Sequence, residues 1–178
     1  MSKDKETRHI LIIGGGIAGK ALALFLHKAA NHPLSRQDVK YTCTIYEAYP
    51  PSEKIYIGGG LGLAPNGVAV LADLGLQDQV KKRTGVARSS RFWTEGGYPL
   101  GVWDHAGFEY DMYGMMRSTL YDILSEELQN KGLTIEYKKR ASKIEEKGDK
   151  VIVQFEDGST AEGDYIIGAD GNSISMHC

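Results

Sequence analysis

Gly14, Gly16 and Gly19 follow directly on an apolar run, His9, Ile10, Leu11, Ile12 and Ile13, and open an Ala/Leu-rich stretch; Glu47 closes a second strand-like segment at residues 41–47. Residue types at these spacings handle phosphates and sugars. A glycine at the end of a strand lets the chain turn sharply, a second leaves no Cβ in the way of a pyrophosphate, and a third lets helix and strand pack closely. A helix beginning near Ile17 aims its unpaired N–H groups and the positive end of its dipole at the anion. The carboxylate of Glu47 accepts hydrogen bonds from ribose hydroxyls, and its charge disfavours a 2′-phosphate, so FAD or NAD suits the pattern better than NADP. Strand, Gly-x-Gly-x-x-Gly, helix, strand and terminal acid is the dinucleotide-binding βαβ fingerprint in its expected context. A ligand-free glycine turn would carry the glycines without that context.

Other candidate chemistry is thin. His9, His27, His32, His105 and His177 show no metal-ligand spacing, and no serine sits in a nucleophile-elbow motif. Asp104 and His105 set an acid beside a base, but neighbours on a strand point to opposite faces. Cys43 and Cys178 offer neither a disulfide framework nor a metal site, which makes a reducing cytoplasm the expected compartment.

The elements that must position the glycines and the acid are legible around them. Residues 9–13 and 41–47 read as strands and residues 17–30 as a helix, ended by Asn31, His32 and Pro33. The segment with Gly58, Gly59, Gly60 and Gly62 is either a close approach to a ligand or a flexible connector. Val68, Val70, Leu71 and Leu74 then suggest a helix closed by Gly75, and residues 89–94 and 100–103 read as strands joined through Gly96 and Gly97. The aromatics Phe92, Trp93, Tyr98, Trp103, Phe108, Tyr110 and Tyr113 could line a pocket; a sheet face packed on a core is the favoured expectation. Residues 117–130 form an amphipathic helix stopped by Lys131 and Gly132. Strands are expected at 133–137, 141–145, 151–155 and 160–167, separated by turns at Gly148 and Gly158. The last strand runs into Gly168, Ala169, Asp170 and Gly171, the form of a ligand loop at the carboxyl end of a parallel sheet. Residues 165–168 are therefore expected beside the first strand, with Asp170 near the nucleotide.

Composition bounds the rest. With 178 residues, 42% hydrophobic and 25% charged, the chain has room for one full domain, and a net charge of −2 gives no electrostatic case for nucleic acid. Lys3, Lys5 and Arg8 precede an apolar stretch as in a signal peptide, but the glycines and Lys20 interrupt it. No run of 18 apolar residues suggests a membrane span.

Gly14 to Gly19, Glu47, the 58–67 segment ending in Ala64, Pro65, Asn66 and Gly67, the run Met116, Arg117, Ser118, Thr119, Leu120, and residues 163–171 together resemble one family. It is the FAD-dependent monooxygenases of the para-hydroxybenzoate hydroxylase-like (aromatic hydroxylase/epoxidase) type, whose motifs appear here in the family's order across nearly the whole chain. The resemblance implies an α/β fold: a Rossmann-like (GR2-type) FAD-binding domain over residues 1–178, with a parallel central sheet and a β-meander. It implies FAD as cofactor, NAD(P)H as electron donor and hydroxylation or epoxidation of a small organic substrate, with no metal and no catalytic side chain required. Gly14, Gly16 and Gly19 would hold the pyrophosphate and Glu47 the adenosine ribose. Gly58, Gly59 and Gly60 would run beside the flavin or its ribityl chain, Arg117 would contact FAD from its helix start, and Asp170 would serve the pyrophosphate side. The family is more than twice as long, and here the substrate domain and second flavin motif are largely absent; the arginine usual after the Asp-Gly pair is absent too. A truncated monooxygenase is thus the expectation, and a non-catalytic nucleotide-binding fragment or inactive remnant the alternative.

Overall fold

The computed structural model describes residues 6–32, 38–51, 59–105 and 107–171. In chain order its elements begin with β1 (Glu6–Ile13), α1 (Ile17–Ala30), β2 (Val39–Glu47), β3 (Gly60–Leu63), α2 (Pro65–Asp73), α3 (Gln77–Arg83), β4 (Gly85–Ala87), β5 (Ser89–Trp93) and β6 (Pro99–Asp104). There follow β7 (Met112–Met116), α4 (Arg117–Asn130), β8 (Ile135–Tyr137), β9 (Ala141–Lys147), β10 (Lys150–Phe155), β11 (Thr160–Gly163) and β12 (Tyr165–Gly168). Two compact units result: Met1–Ile55 with Leu124–Cys178, and Tyr56–Ile123.

The first unit is built on a four-stranded sheet in the order β12-β1-β2-β8. β1 pairs in parallel with β12, from Ile10 opposite Tyr165 to Ile13 opposite Gly168, and with β2, from Glu6 opposite Val39 to Ile13 opposite Tyr46. A strand covered on both faces needs apolar residues at every position, which is why residues 10–13 are a continuous hydrophobic run instead of an alternation. Leu11 and Ile13 pack with Tyr46, Val153 and Phe155, so the antiparallel meander β9-β10-β11 covers that face. Both β1 and β2 begin earlier than hydrophobicity indicates, because Glu6 to Arg8 pair with Val39 to Tyr41 through backbone alone. α1 and α4 have the bounds read from sequence.

The expected strand over 160–167 is two strands, broken at Asp164. The Asp164 side chain is 4% exposed; Oδ2 accepts from the His9 N–H at 2.6 Å, and Oδ1 accepts from Lys150 Nζ at 2.8 Å and Arg8 Nη1 at 3.0 Å. Its own N–H donates to the His9 carbonyl at 2.8 Å. At this point the chain leaves the meander and joins the parallel sheet, and the carboxylate takes the β1 donor that neither strand reaches. These donors, Lys150 first and then the His9 amide, hold the Asp164 carboxyl well below the usual carboxylate range.

In the second unit β7 pairs antiparallel with β3 and β4, and Val68, Leu71, Leu76, Val80, Tyr113, Met115, Leu120 and Ile123 are buried. β3, β4, β7 and α3 add to the elements expected from sequence: β3 is half glycine, β4 has three residues, β7 buries only Tyr113 and Met115 at alternate positions, and α3 carries one buried apolar residue, Val80. The aromatic cluster differs from expectation. Phe92, Trp93, Tyr98, Trp103 and Phe108 are between 51% and 75% exposed, and only Tyr113 is fully in the core. β5 and β6 form a two-stranded ribbon with β6 exposed throughout. Aromatic composition identifies strands but not whether a second layer covers them. His105, just after β6, is buried, with Nε2 3.0 Å from Ser90 Oγ, a tie across the ribbon. Among the described residues no helix is long and apolar enough to cross a membrane.

Asp164→Asn is expected to lower the melting temperature at neutral pH. A carboxyl held below its unfolded value stabilises the fold fully above the ordinary Asp range, near pH 4, and loses that contribution progressively as pH falls below that range to the lowered value of the folded chain. The gap between wild type and variant in circular-dichroism melts is thus widest at pH 7 and closes in acid; a gap independent of pH would remove the charge from the argument.

Candidate functional site

The carboxyl ends of β1, β2 and β12 lie level, with Ile13 opposite both Tyr46 and Gly168. Gly14 leaves β1 at φ +112°, and its N–H donates to the Tyr46 carbonyl at 2.8 Å. A Cβ there would stand 2.5 Å from the Ala169 carbonyl carbon and 2.6 Å from the Asp170 nitrogen. Gly14 therefore makes the turn and also admits the chain leaving β12. A Cβ on Gly19 would stand 1.9 Å from the Gly14 carbonyl oxygen, so α1 starts hard against the end of β1. Gly16 is different: a Cβ would meet nothing within 4 Å. It caps α1 in extended conformation without a side-chain hydrogen bond, and the first turn holds no acidic residue. Open space facing uncapped N–H groups is a cradle for an anion, and a side chain on Gly16 would fill it.

Glu47 ends β2 beside this turn. Its Oε2 accepts from the Gly15 N–H at 2.7 Å and its Oε1 from the Tyr49 N–H at 3.0 Å, leaving each oxygen a second lone pair for a hydroxyl donor. Gly15, between the motif glycines, takes part as well. A Cβ on it would come 3.0 Å from Glu47 Oε2, and its place in an unbroken run of three glycines is the signal in the sequence. Lys20, in the first turn of α1, was also missed; it is fully buried and its Nζ donates to Ser125 Oγ at 2.9 Å, linking α1 to α4.

Asp170 follows β12 next to Gly14, and its Oδ2 is buried without a hydrogen-bond partner among the described residues. A carboxylate oxygen only accepts, as phosphate oxygens do, so this atom suits a sugar or sugar-alcohol hydroxyl better than the pyrophosphate expected for it. In the second unit the Arg117 N–H meets the Gly59 carbonyl at 3.5 Å and Gly60 pairs with Met116, which sets both glycines beside the start of α4. Arg117 is exposed, and a Cβ on Gly59 would meet nothing within 4 Å. Gly58 lies outside the described residues. Gly14, Gly16, Gly19, Glu47 and Asp170 thus gather in one unit, and Gly59, Gly60 and Arg117 in the other. No group of metal-ligating side chains occurs among the described residues.

The two helix-turn glycines separate by experiment. Gly16→Val is expected to keep the far-UV circular-dichroism spectrum while abolishing nucleotide binding, because its side chain enters open space. Gly19→Val is expected to unfold the chain, because backbone blocks it. Loss of structure in Gly16→Val would make Gly16 a folding residue.

Residues 7–177 match the family model described as an FAD binding domain. The chain is 32% identical over 175 residues to 3-amino-4-hydroxybenzoate 2-monooxygenase of Streptomyces cremeus, an alignment covering 94% of this chain and 40% of that protein. Among solved structures, a putative FAD-containing monooxygenase from Photorhabdus luminescens is 27% identical with a TM-score of 0.72, covering 92% of this chain and 39% of that one. Klebsiella pneumoniae HpxO, solved with FAD and uric acid, is 26% identical with a TM-score of 0.71, covering 92% of this chain and 39% of that one. The chain spans about 40% of the length of these relatives. With the glycine cradle, the acid of β2 and this match over nearly every residue, the chain belongs to the FAD-binding-domain family of the FAD-dependent monooxygenases.

Proposed function

We propose that this chain supplies the FAD-binding portion of a monooxygenase that draws electrons from NAD(P)H and places one oxygen atom of O₂ on a small organic substrate. The observation that carries the reading is the convergence of an uncapped helix start, a fixed acid and an unpartnered buried carboxylate oxygen at one sheet edge. FAD, when bound, supplies the redox and oxygen chemistry. The chain's residues bind and orient. The first N–H groups of α1 take the pyrophosphate, Glu47 accepts from the ribose hydroxyls, and Asp170 accepts from a hydroxyl further along the cofactor. By the family resemblance, Gly58, Gly59 and Gly60 would run beside the flavin or its ribityl chain and Arg117 would contact the cofactor. No proton transfer by a side chain of this chain is required. Two cysteines, without a disulfide framework, support a cytoplasmic location, and the near-neutral charge argues against nucleic acid as partner.

Titration of FAD fluorescence tests the reading. Glu47→Ala is expected to weaken FAD binding by about 1.5–3 kcal/mol, the value of a hydrogen bond to a charged acceptor, and Glu47→Gln by less, since it keeps one acceptor. Arg117→Ala is also expected to weaken it. Equal affinity of wild type and Glu47→Ala would take the ribose away from β2.

A further inference from the structure

The large apolar side chains that the fold leaves in solvent are concentrated in one place. Among the described residues eight are more than half exposed; seven of them lie between Phe92 and Phe108, on or just after the β5–β6 ribbon, and the eighth is Met116. Both faces of the ribbon are open. Val102 and Trp103 are successive strand residues, which point to opposite sides, and they are 65% and 56% exposed. Phe92, Leu100, Val102 and Trp103 line an open groove at Gly101, where an added Cβ would meet nothing within 4 Å. The root of the ribbon is fixed: buried His105 lies 3.0 Å from Ser90 Oγ, and its N–H donates to the Arg88 carbonyl at 3.0 Å. The apolar surface is therefore formed before any partner arrives, and little freedom is lost on covering it.

Its extent is that of an interface. A fully accessible aromatic side chain presents about 150–250 Å². At the exposures found here, five aromatics together with Leu100 and Val102 leave about 700 Å² open. The largest patch on a typical monomer is about 300–600 Å², and each partner of a stable interface contributes about 800 Å². The charges indicate the partner. Arg88 and Arg91 stand towards the root, where β5 begins, and Glu95 stands at the tip, in the turn that the Gly97 N–H closes on the Thr94 carbonyl at 2.9 Å; all three are exposed. Two ribbons laid antiparallel across a twofold axis set the tip acid of each against the root arginines of the other. We propose that the ribbon is the contact between two copies of this chain, each covering the other's ribbon. A lipid surface fits less well, because it would take Glu95 into an apolar layer and leave the N–H and C=O groups along the ribbon's outer edges unmet. Pro99 and the register shift beside Trp93 keep those edges from growing into an open sheet, so association closes at two.

Sedimentation of the 178-residue chain over a concentration series tests the proposal. A dimer that dissociates on dilution is expected. Trp93 and Trp103 are the two tryptophans of the chain, so their emission is expected to move to the red along the same dilution curve. Val102→Glu is expected to raise the dimer dissociation constant about a hundredfold, because an unpaired charge enters the contact. Its circular-dichroism spectrum is expected to match wild type, since the position is open in the single chain. Glu95→Arg and Arg91→Glu are each expected to weaken the dimer several-fold, and the two together to recover much of the loss, because the contact is reciprocal. A chain that is monomeric at every concentration overturns the proposal, as do aggregates without a dimer plateau, an unaffected Val102→Glu, or charge reversals that do not compensate. A monomer whose tryptophan emission shifts only on adding vesicles of phosphatidylserine and phosphatidylcholine gives the ribbon to lipid and overturns it too.

Discussion

The contact between the backbones of Gly14 and Gly19 is the constraint on which the first unit depends. A single added methyl on Gly19 would sit 1.9 Å from the Gly14 carbonyl oxygen, less than any non-bonded approach, and the obstacle is backbone, which cannot swing aside. The tightness fixes where α1 begins and therefore where its unpaired N–H groups point. With a looser turn, β1 and β2 could still pair, but the positive end of the helix would no longer overlook the gap beside Glu47. Gly14 serves a second partner as well, since the chain leaving β12 passes where its Cβ would be. One turn thus sets the helix and brings Asp170 to the same edge.

Asp164 works at the opposite end of the same strand pair. A chain passing from an antiparallel meander into a parallel sheet must break one hydrogen-bond ladder before starting another, and the β1 amide at the break would otherwise be buried without an acceptor. An unmet buried donor costs about 1–3 kcal/mol. The Asp164 carboxylate meets it, while Arg8 and Lys150 offset the charge brought into the interior. The meander is thereby held beside β1, and Asp157, which accepts from Lys139 Nζ, and Glu156, whose N–H donates to the Arg140 carbonyl, tie it to the segment after β8.

The legible parts were those in which several residues repeat one message. The β1–α1–β2 unit carries an apolar run, three spaced glycines, a helical period and a terminal acid, and the bounds of α1 and α4 follow directly from their patterns. β12 was legible because an all-apolar strand ending in Gly168 and Ala169 suits only a covered parallel position. What was not legible depends on pairing or coverage. β3 and β4 exist because β7 lies between them, and nothing in four and three residues announces a partner. The exposure of Trp93 and Trp103 is likewise set by what stands over the ribbon, which hydrophobicity does not encode. At the site, Glu47 was legible as a residue type, while its two backbone donors and the role of Gly15 emerge only when β1 and β2 are side by side.

Those two donors also resolve an electrostatic difficulty. A carboxylate placed near a pyrophosphate is repelled by it, and the repulsion is larger in a partly buried site than in water. The N–H groups of Gly15 and Tyr49 draw the charge of Glu47 towards the backbone and fix the carboxylate before any ligand arrives, so no side-chain freedom is lost on binding. The positive end of α1 acts on both anions at once. The middle glycine, Gly15, is what lets the Glu47 side chain come this close: a Cβ there would stand 3.0 Å from Oε2 and 3.1 Å from the Glu47 Cβ.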